Sequence, residues 1–253
     1  MKIILFTSKA LTSIYLLLSL GLFIFQRDLL YHPSVKIDHS YQEQTFYNDK
    51  ESIKVIALNP EQQNSIILFG GNAQIIANRA PSYIKTFPNH TVYLVNYRGY
   101  GGSSGMPEEQ GLYSDALHIY DKIKAKHNAV SVIGRSLGTG VASYVASKRD
   151  ITKLVLITPY DSIENIAKFR YPIFPISFIL EDKFDSVGRV NTIKANTLII
   201  LAENDKIIPL ENSQRLINHF PASQITVATI NNTNHITLSD TTKFYTLLKQ
   251  FLR

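Results

Sequence analysis

A chain of 253 residues with 45% hydrophobic content has enough apolar material for one sizeable core, which for an α/β chain of this length is ordinarily undivided. The net charge of +6 is carried by scattered lysines and arginines, with no basic run or aromatic-interleaved stretch, so nothing in the sequence supports nucleic-acid binding. The absence of cysteine excludes disulfides, thiolate metal sites, a cysteine nucleophile and a lipidated cysteine.

The N-terminus differs in character from the rest of the chain. "ALTSIYLLLSLGLFIFQ", Ala10 to Gln26, carries no charge. At 1.5 Å per residue it spans about 25 Å as a helix, and a snorkelling Lys9 extends the usable segment back to Ile3. A signal peptide is the main rival, but the exit "GLFIFQRDLLYHPS" lacks the small residues a cleavage site requires. Residues 1–27 are therefore expected to be a single-pass membrane anchor, with a cleaved signal or a buried hairpin helix as alternatives, followed by one globular domain over residues 28–253. Lys2, Lys9 and the α-amino group precede the apolar run, against Arg27 and the more distant Lys36 beyond it. Positive charge tends to stay cytoplasmic, which places the domain outside the cytoplasm, in a periplasm if the cell is bacterial.

Beyond the anchor, short β-rich runs occur at 53–58, 65–69, 91–95, 130–133, 154–157, 197–201 and 224–230, most separated by helical patterns such as Leu210 to His219. Alternation of this kind predicts an α/β fold with a mostly parallel central sheet and helices on both faces. In such sheets the reactive groups gather in loops beyond the carboxyl ends of the strands.

One of those loops stands out. In "VSVIGRSLGTGVASYVAS", Val130, Val132 and Ile133 read as a strand, and Leu137, Val141, Tyr144 and Val145 recur at helical spacing. Between them lies G-R-S-L-G, the strand–turn–helix setting of a nucleophile elbow, which would hold the Ser136 hydroxyl outward with glycines at 134 and 138 to avoid collision. A serine hydroxyl needs a base to react near neutrality. Among the seven histidines, His235 in "INNTNHITL" follows the last expected strand and precedes the last helix. The acid that orients the base comes from either of two loops: Asp205 in "AENDKIIP" or Asp161 in "ITPYDS". The order serine, acid, histidine and a place after the penultimate strand suit Asp205. Asp185 and Glu203 read as solvated or capping residues.

A tetrahedral intermediate also needs donors for its oxyanion. The N–H of Leu137, following the nucleophile at a helix N-terminus, supplies one, and that of Asn72, after the Gly70–Gly71 pair, is the best candidate for the other. "YRGYGGSSG" lacks the lysine and spacing of a P-loop and reads as a structural loop beside the site. "IAKFRYPIFPISFIL", broken by Pro172 and Pro175, falls where a cap over residues 161–190 is expected, either as a core-packing helix or as a lid meeting an acyl chain or a membrane surface.

Taken in order, "FGGNA", "NYRGYGGSSGMPEEQGLYSDA", "GRSLG", "AENDKIIP" and "NHITL", with "FQRDLLYHPS" after the anchor, resemble the α/β-hydrolase superfamily over residues 28–253. The likeness is to small membrane-anchored serine hydrolases related to acyl-protein thioesterases and serine-peptidase-like hydrolases. The resemblance implies an α/β-hydrolase fold, a triad at Ser136, Asp205 and His235, and an oxyanion hole begun by Phe69–Ala73. It also implies acyl transfer from an ester or thioester with no metal or organic cofactor, and a small-molecule or lipid-like acyl substrate; the oligomeric state stays open. A peptidase of the same mechanism and a catalytically silent membrane-tethered scaffold are the alternatives. Two positions depart from the pattern: relatives usually read F-H-G-N-A where this chain has Gly70, and many have aspartate where Asn96 stands.

Overall fold

The central apolar runs lack the polar alternation of a half-solvated sheet, so they need cover on both faces. In the computed structural model, which describes residues 2–253 with side chains from Phe6 onward, they lie inside one sheet of eight strands. The strands are β1 (Gln42–Asn48), β2 (Glu51–Leu58), β3 (Asn64–Phe69), β4 (Thr91–Val95), β5 (Ala129–Arg135), β6 (Lys153–Ile157), β7 (Asn196–Ala202) and β8 (Ile225–Ile230). Their order is β1-β2-β4-β3-β5-β6-β7-β8, with β1–β2 and β2–β4 antiparallel and all later pairings parallel.

Alternation along each strand divides the interior into two cores. From β3, Ile67 and Phe69 face the side covered by α3 (Glu109–Lys124) and α4 (Leu137–Lys148), whereas Ile66 and Leu68 face α2 (Ala80–Thr86) and α8 (Thr242–Leu252). The register aligns Phe69 with Gly134, Arg135 with Ile157 and Ala202 with Ile230, so the loops after β3, β5, β7 and β8 emerge at one edge. Between β6 and β7 the chain makes α5 (Ile163–Arg170) and α6 (Ile176–Ile179), within the span expected for the cap; α7 (Leu210–His219) follows β7. Ser162 starts α5 as its N-cap, its Oγ accepting from Asn165 N at 3.0 Å.

Two features differ from the sequence reading. Strand β1 falls in the polar stretch after the anchor. It pairs with β2 as a hairpin whose turn puts Asp49 at φ 53°. The N-terminal helix α1 (Lys2–Leu30) runs past the expected boundary at residue 27. Its window Phe6–Leu30 has a mean hydropathy of 1.7 and is long and apolar enough to cross a membrane. Tertiary contacts hold its last turns helical: Arg27 pairs with Glu108 at 3.3 Å, Glu181 at 3.4 Å and Asp182 at 3.3 Å, and Gln26 Oε1 accepts from Glu181 N at 2.7 Å. Met1 and the side chain of Lys2, which enter the charge argument for orientation, lie outside the described residues.

Candidate active site

Ser136 sits between β5 and α4 at φ 49° and ψ −119°, a left-handed backbone that costs a non-glycine residue of order 1–3 kcal/mol and persists only where the surroundings impose it. Here the constraint is packing. A Cβ on Gly138 would stand 2.1 Å from the Phe69 carbonyl oxygen, and one on Gly134 would stand 2.4 Å from that of Gly138. These glycines let α4 press against β3 and β5, which drives the serine outward. Ser136 N donates to Ile157 O at 2.9 Å and Thr139 Oγ1 donates to Ser136 O at 2.6 Å, fixing both sides of the turn.

His235 Nε2 lies 2.9 Å from Ser136 Oγ, and His235 Nδ1 lies 2.7 Å from Asp205 Oδ2. Asn234 shapes the histidine loop, its Oδ1 accepting from Ile236 N at 2.9 Å and Thr237 N at 3.0 Å. The acid and histidine loops are also tied directly, by Asn204 N to Thr233 O at 2.8 Å and Asn232 N to Glu203 Oε2 at 2.7 Å. The other oxygen of Asp205, Oδ1, accepts from Ile207 N and Ile208 N, both at 2.9 Å. Burial pushes the Asp205 carboxyl up, but the hydrogen bond and charge of His235 together with these two N–H groups outweigh it. The carboxyl is held below its ordinary value.

Asp161 is not brought to the histidine. Its side chain is 1% exposed and fully engaged: Oδ1 accepts from Ser162 N at 2.8 Å and Asn212 Nδ2 at 2.7 Å, and Oδ2 from Asn165 Nδ2 at 2.7 Å and Arg215 Nε at 2.6 Å. It joins the start of α5 to α7.

The loop after β3 lies against the elbow. An added Cβ on Gly71 would be 3.6 Å from that of Ser136, and Gly71 N is already engaged by Gln74 Oε1 at 2.8 Å. Neither Asn72 N nor Leu137 N has a partner among the described residues, and both residues border the pocket beside Ser136. A side chain at Gly70 would start 2.6 Å from Ile76 Cδ1, so Ile76 occupies the space into which a histidine there would project.

Several supporting groups escaped the sequence reading. The Asn72 side chain ties the loop to the end of α1, donating to Leu30 O at 2.5 Å and accepting from His32 N at 2.9 Å and Tyr100 Oη at 2.8 Å. Tyr97 Oη donates to Gly70 O at 2.7 Å, so "YRGYGGSSG" braces this loop from below. Arg135 is held down by burial, and its Nη2 donates to His235 O at 2.9 Å. Its place beside the nucleophile was the available signal. The pairing with a backbone carbonyl a hundred residues away was not legible.

Beside Ser136 opens a cavity of about 850 Å³, at the upper end of small-molecule sites, which run to about 1,000 Å³. Its apolar walls come from three places: Leu22, Leu29 and Leu30 of α1, Ile163, Ile166, Ile176 and Ile179 of the cap, and Ile207, Ile208 and Ile236 beside the acid and histidine; Gln26, Asn78, Arg79 and Arg170 add polar groups to the lining.

A parallel-centred sheet, a strained elbow and an acid–histidine–serine chain at the carboxyl edge define an α/β-hydrolase. Comparison with known proteins agrees. Residues 44–237 match the serine hydrolase (FSH1) family, and the chain belongs to that family. It is 34% identical over 131 residues to an uncharacterized protein of Mycobacterium tuberculosis strain H37Rv, covering 50% of this chain and 47% of that one. It is 36% identical over 147 residues to the lysophosphatidylserine lipase ABHD12 of Xenopus tropicalis, covering 50% of this chain and 38% of the lipase. The chain thus spans less than half the length of these curated relatives. Among solved structures, the Pyrococcus furiosus esterase Pf2001 superposes with a TM-score of 0.69 at 15% identity, over 88% of this chain and 95% of the esterase. A putative hydrolase from Agrobacterium vitis gives 0.69 at 16% identity, over 85% of this chain and all of that one; both likenesses concern the fold.

Proposed function

We propose that the protein is a membrane-anchored serine hydrolase cleaving a carboxylic ester or thioester of an acyl compound. In this reading Ser136 Oγ attacks the acyl carbonyl while His235 Nε2 takes its proton, with Asp205 holding the ring so that Nδ1 keeps its hydrogen and stabilising the imidazolium. The backbone N–H groups of Asn72 and Leu137 receive the oxyanion, contributing about 3 kcal/mol each to the barrier reduction. Collapse of the intermediate breaks the bond to the leaving oxygen or sulfur, which takes the proton from His235. Water, deprotonated by the same histidine, then releases the acid from Ser136.

The observation that carries the reading is the unbroken chain Asp205–His235–Ser136, at 2.7 and 2.9 Å, opening onto an apolar cavity. The leucine and isoleucine side chains that supply most of the wall offer an acyl chain burial, which supports an acyl ester or thioester as substrate. Relatives named as lysophosphatidylserine lipases are consistent with a lipid-like acyl substrate. In the same reading α1 anchors the chain in a bilayer, with the catalytic domain over residues 28–253 on the extracytoplasmic side. The test is turnover of p-nitrophenyl esters and thioesters of graded chain length beside aminoacyl amides. Rates rising with acyl length support the reading, and cleavage of amides alone would overturn it.

A further inference from the structure

The cap is not merely a lid over the site. Between Arg170 and Glu181, residues 171–180 read "YPIFPISFIL", ten consecutive residues without a charge. Burial accounts for Ile176 and Ile179 but not for the rest: Phe178 is 90% exposed, Ile173 71% and Phe169, one turn earlier, 70%. Single exposed apolar residues are ordinary, but a cluster of large ones on a short protruding segment needs a partner.

The position of the segment identifies that partner. The cap lies along α1: the rings of Tyr15 and Phe174 stack with centroids 5.5 Å apart and 4° between planes, and Tyr15 Oη donates to Ile173 O at 2.9 Å. Nearer the domain, Arg27 sits among Glu108, Glu181 and Asp182, which sets a polar level at that turn. From Arg27 to Tyr15 is twelve residues, about 18 Å along a helix, so a cap tip beside Tyr15 reaches past the middle of a hydrocarbon core about 30 Å thick. The cap tip at Ile173 and Phe174 therefore lies at the depth of the acyl chains whenever α1 spans the bilayer, and the segment climbs from there to the polar level at Glu181. Leu22 of α1, on the membrane side of Arg27, and Ile176 and Ile179 of α6 wall the cavity that leads to Ser136, so one side of that cavity is formed by α1 and the cap below the polar level.

We propose that the cap tip is a second membrane-inserted element, seated in the leaflet against α1, and that acyl substrate reaches Ser136 sideways from the leaflet between them. The proposal rests on α1 being a membrane anchor, and its test separates the two claims. The native chain has no cysteine, so single cysteines can be introduced cleanly. In the full-length protein in phosphatidylcholine nanodiscs, an environment-sensitive fluorophore is attached in turn at Phe178→Cys, at Leu17→Cys on α1 and at Tyr47→Cys on β1, and quenched with lipids carrying nitroxides on their acyl chains.

Quenching at 178 and 17 but not at 47 is the expected result. Quenching at 17 alone overturns cap insertion while leaving the anchor. Quenching at neither removes both. Absence of quenching at 178 together with disulfide formation between two Phe178→Cys chains assigns the patch to a second copy and overturns the proposal. Neither Ile173 nor Phe178 lines the cavity. The double variant Ile173→Asp, Phe178→Asp should therefore lower hydrolysis of a long-chain ester in vesicles by about tenfold or more, from weakened insertion, and leave a short water-soluble ester within about twofold. Equal loss on both substrates would overturn lateral entry.

Discussion

Asp161 and Asp205 follow adjacent strands, and exchanging each for asparagine should produce two separable defects. At Asp161 the two oxygens accept four hydrogen bonds, two each, from Ser162 N and Asn212, and from Asn165 and Arg215. Whichever way an asparagine amide is turned, its NH2 faces two of those donors, so two bonds become repulsions in a buried site. At about 1–3 kcal/mol for each unsatisfied buried group, the loss is about 2–6 kcal/mol. For a domain of this size, 1 kcal/mol moves Tm by about 2–4 °C, so Asp161→Asn should unfold at least about 4 °C below the parent. Its kcat, measured well below the transition, should stay within about threefold, since residues distant from the reacting atoms act mainly on stability. Asp205→Asn should do the reverse. It loses the acceptor that keeps the proton on His235 Nδ1, an effect of about 10⁴ in kcat in serine proteases, so a loss of about 10³ or more is expected with a much smaller change in Tm. Differential scanning calorimetry and ester turnover on the same preparations decide the matter. If Asp161→Asn lost activity at unchanged Tm while Asp205→Asn stayed active, the assignment of the acid would be refuted.

Gly138→Ala drives a methyl into the Phe69 and Gly70 carbonyls, both backbone, so the β3 loop must move; about 1–3 kcal/mol of stability should go, and turnover should fall by about 10² as Asn72 N shifts from the oxyanion. Gly70→Ala meets the flexible ends of Ile76 and Gln74 rather than backbone, and should cost less than Gly138→Ala on both readouts. The Asp205 carboxyl, lowered in the fold, contributes stability that is fully present above its unfolded value near 3.9 and is lost as pH falls through the lower folded value. The stability difference between the parent and Asp205→Asn in urea titrations should therefore shrink as pH falls below about 4. Asn72→Ala frees Leu30 O and leaves His32 N only its longer bond to Tyr100 Oη, loosening the α1 wall; KM for long acyl esters should rise while labelling of Ser136 by a small fluorophosphonate persists.

Much of the fold and site was legible because the signals were local. The elbow announces itself where strand periodicity gives way at Gly134 to helical spacing from Leu137, and the paired glycines have a steric reason that any sequence with this turn must satisfy. His235 and Asp205 could be proposed from chain order alone. What was not legible depends on contacts between distant segments. Strand β1, "QEQTFYN", is a half-exposed edge strand with little apolar content, and only its pairing with β2 makes it a strand. The end of α1 was expected at Arg27, where charge suggests an interface. The helix instead runs on because Arg27 meets carboxylates from α3's approach and the cap, which no local pattern encodes. That α1 helps to wall the cavity depends on the same contacts and was likewise hidden.

The central claim is that Ser136 is the nucleophile, and the most direct measurement is peptide mass mapping after reaction with a fluorophosphonate. Parent protein should carry one phosphonyl adduct, on the tryptic peptide that begins at Ser136, and Ser136→Ala should carry none while keeping the parent's Tm within about 2 °C. An adduct on any other residue of the parent, or undiminished labelling of a folded Ser136→Ala protein, would contradict the account.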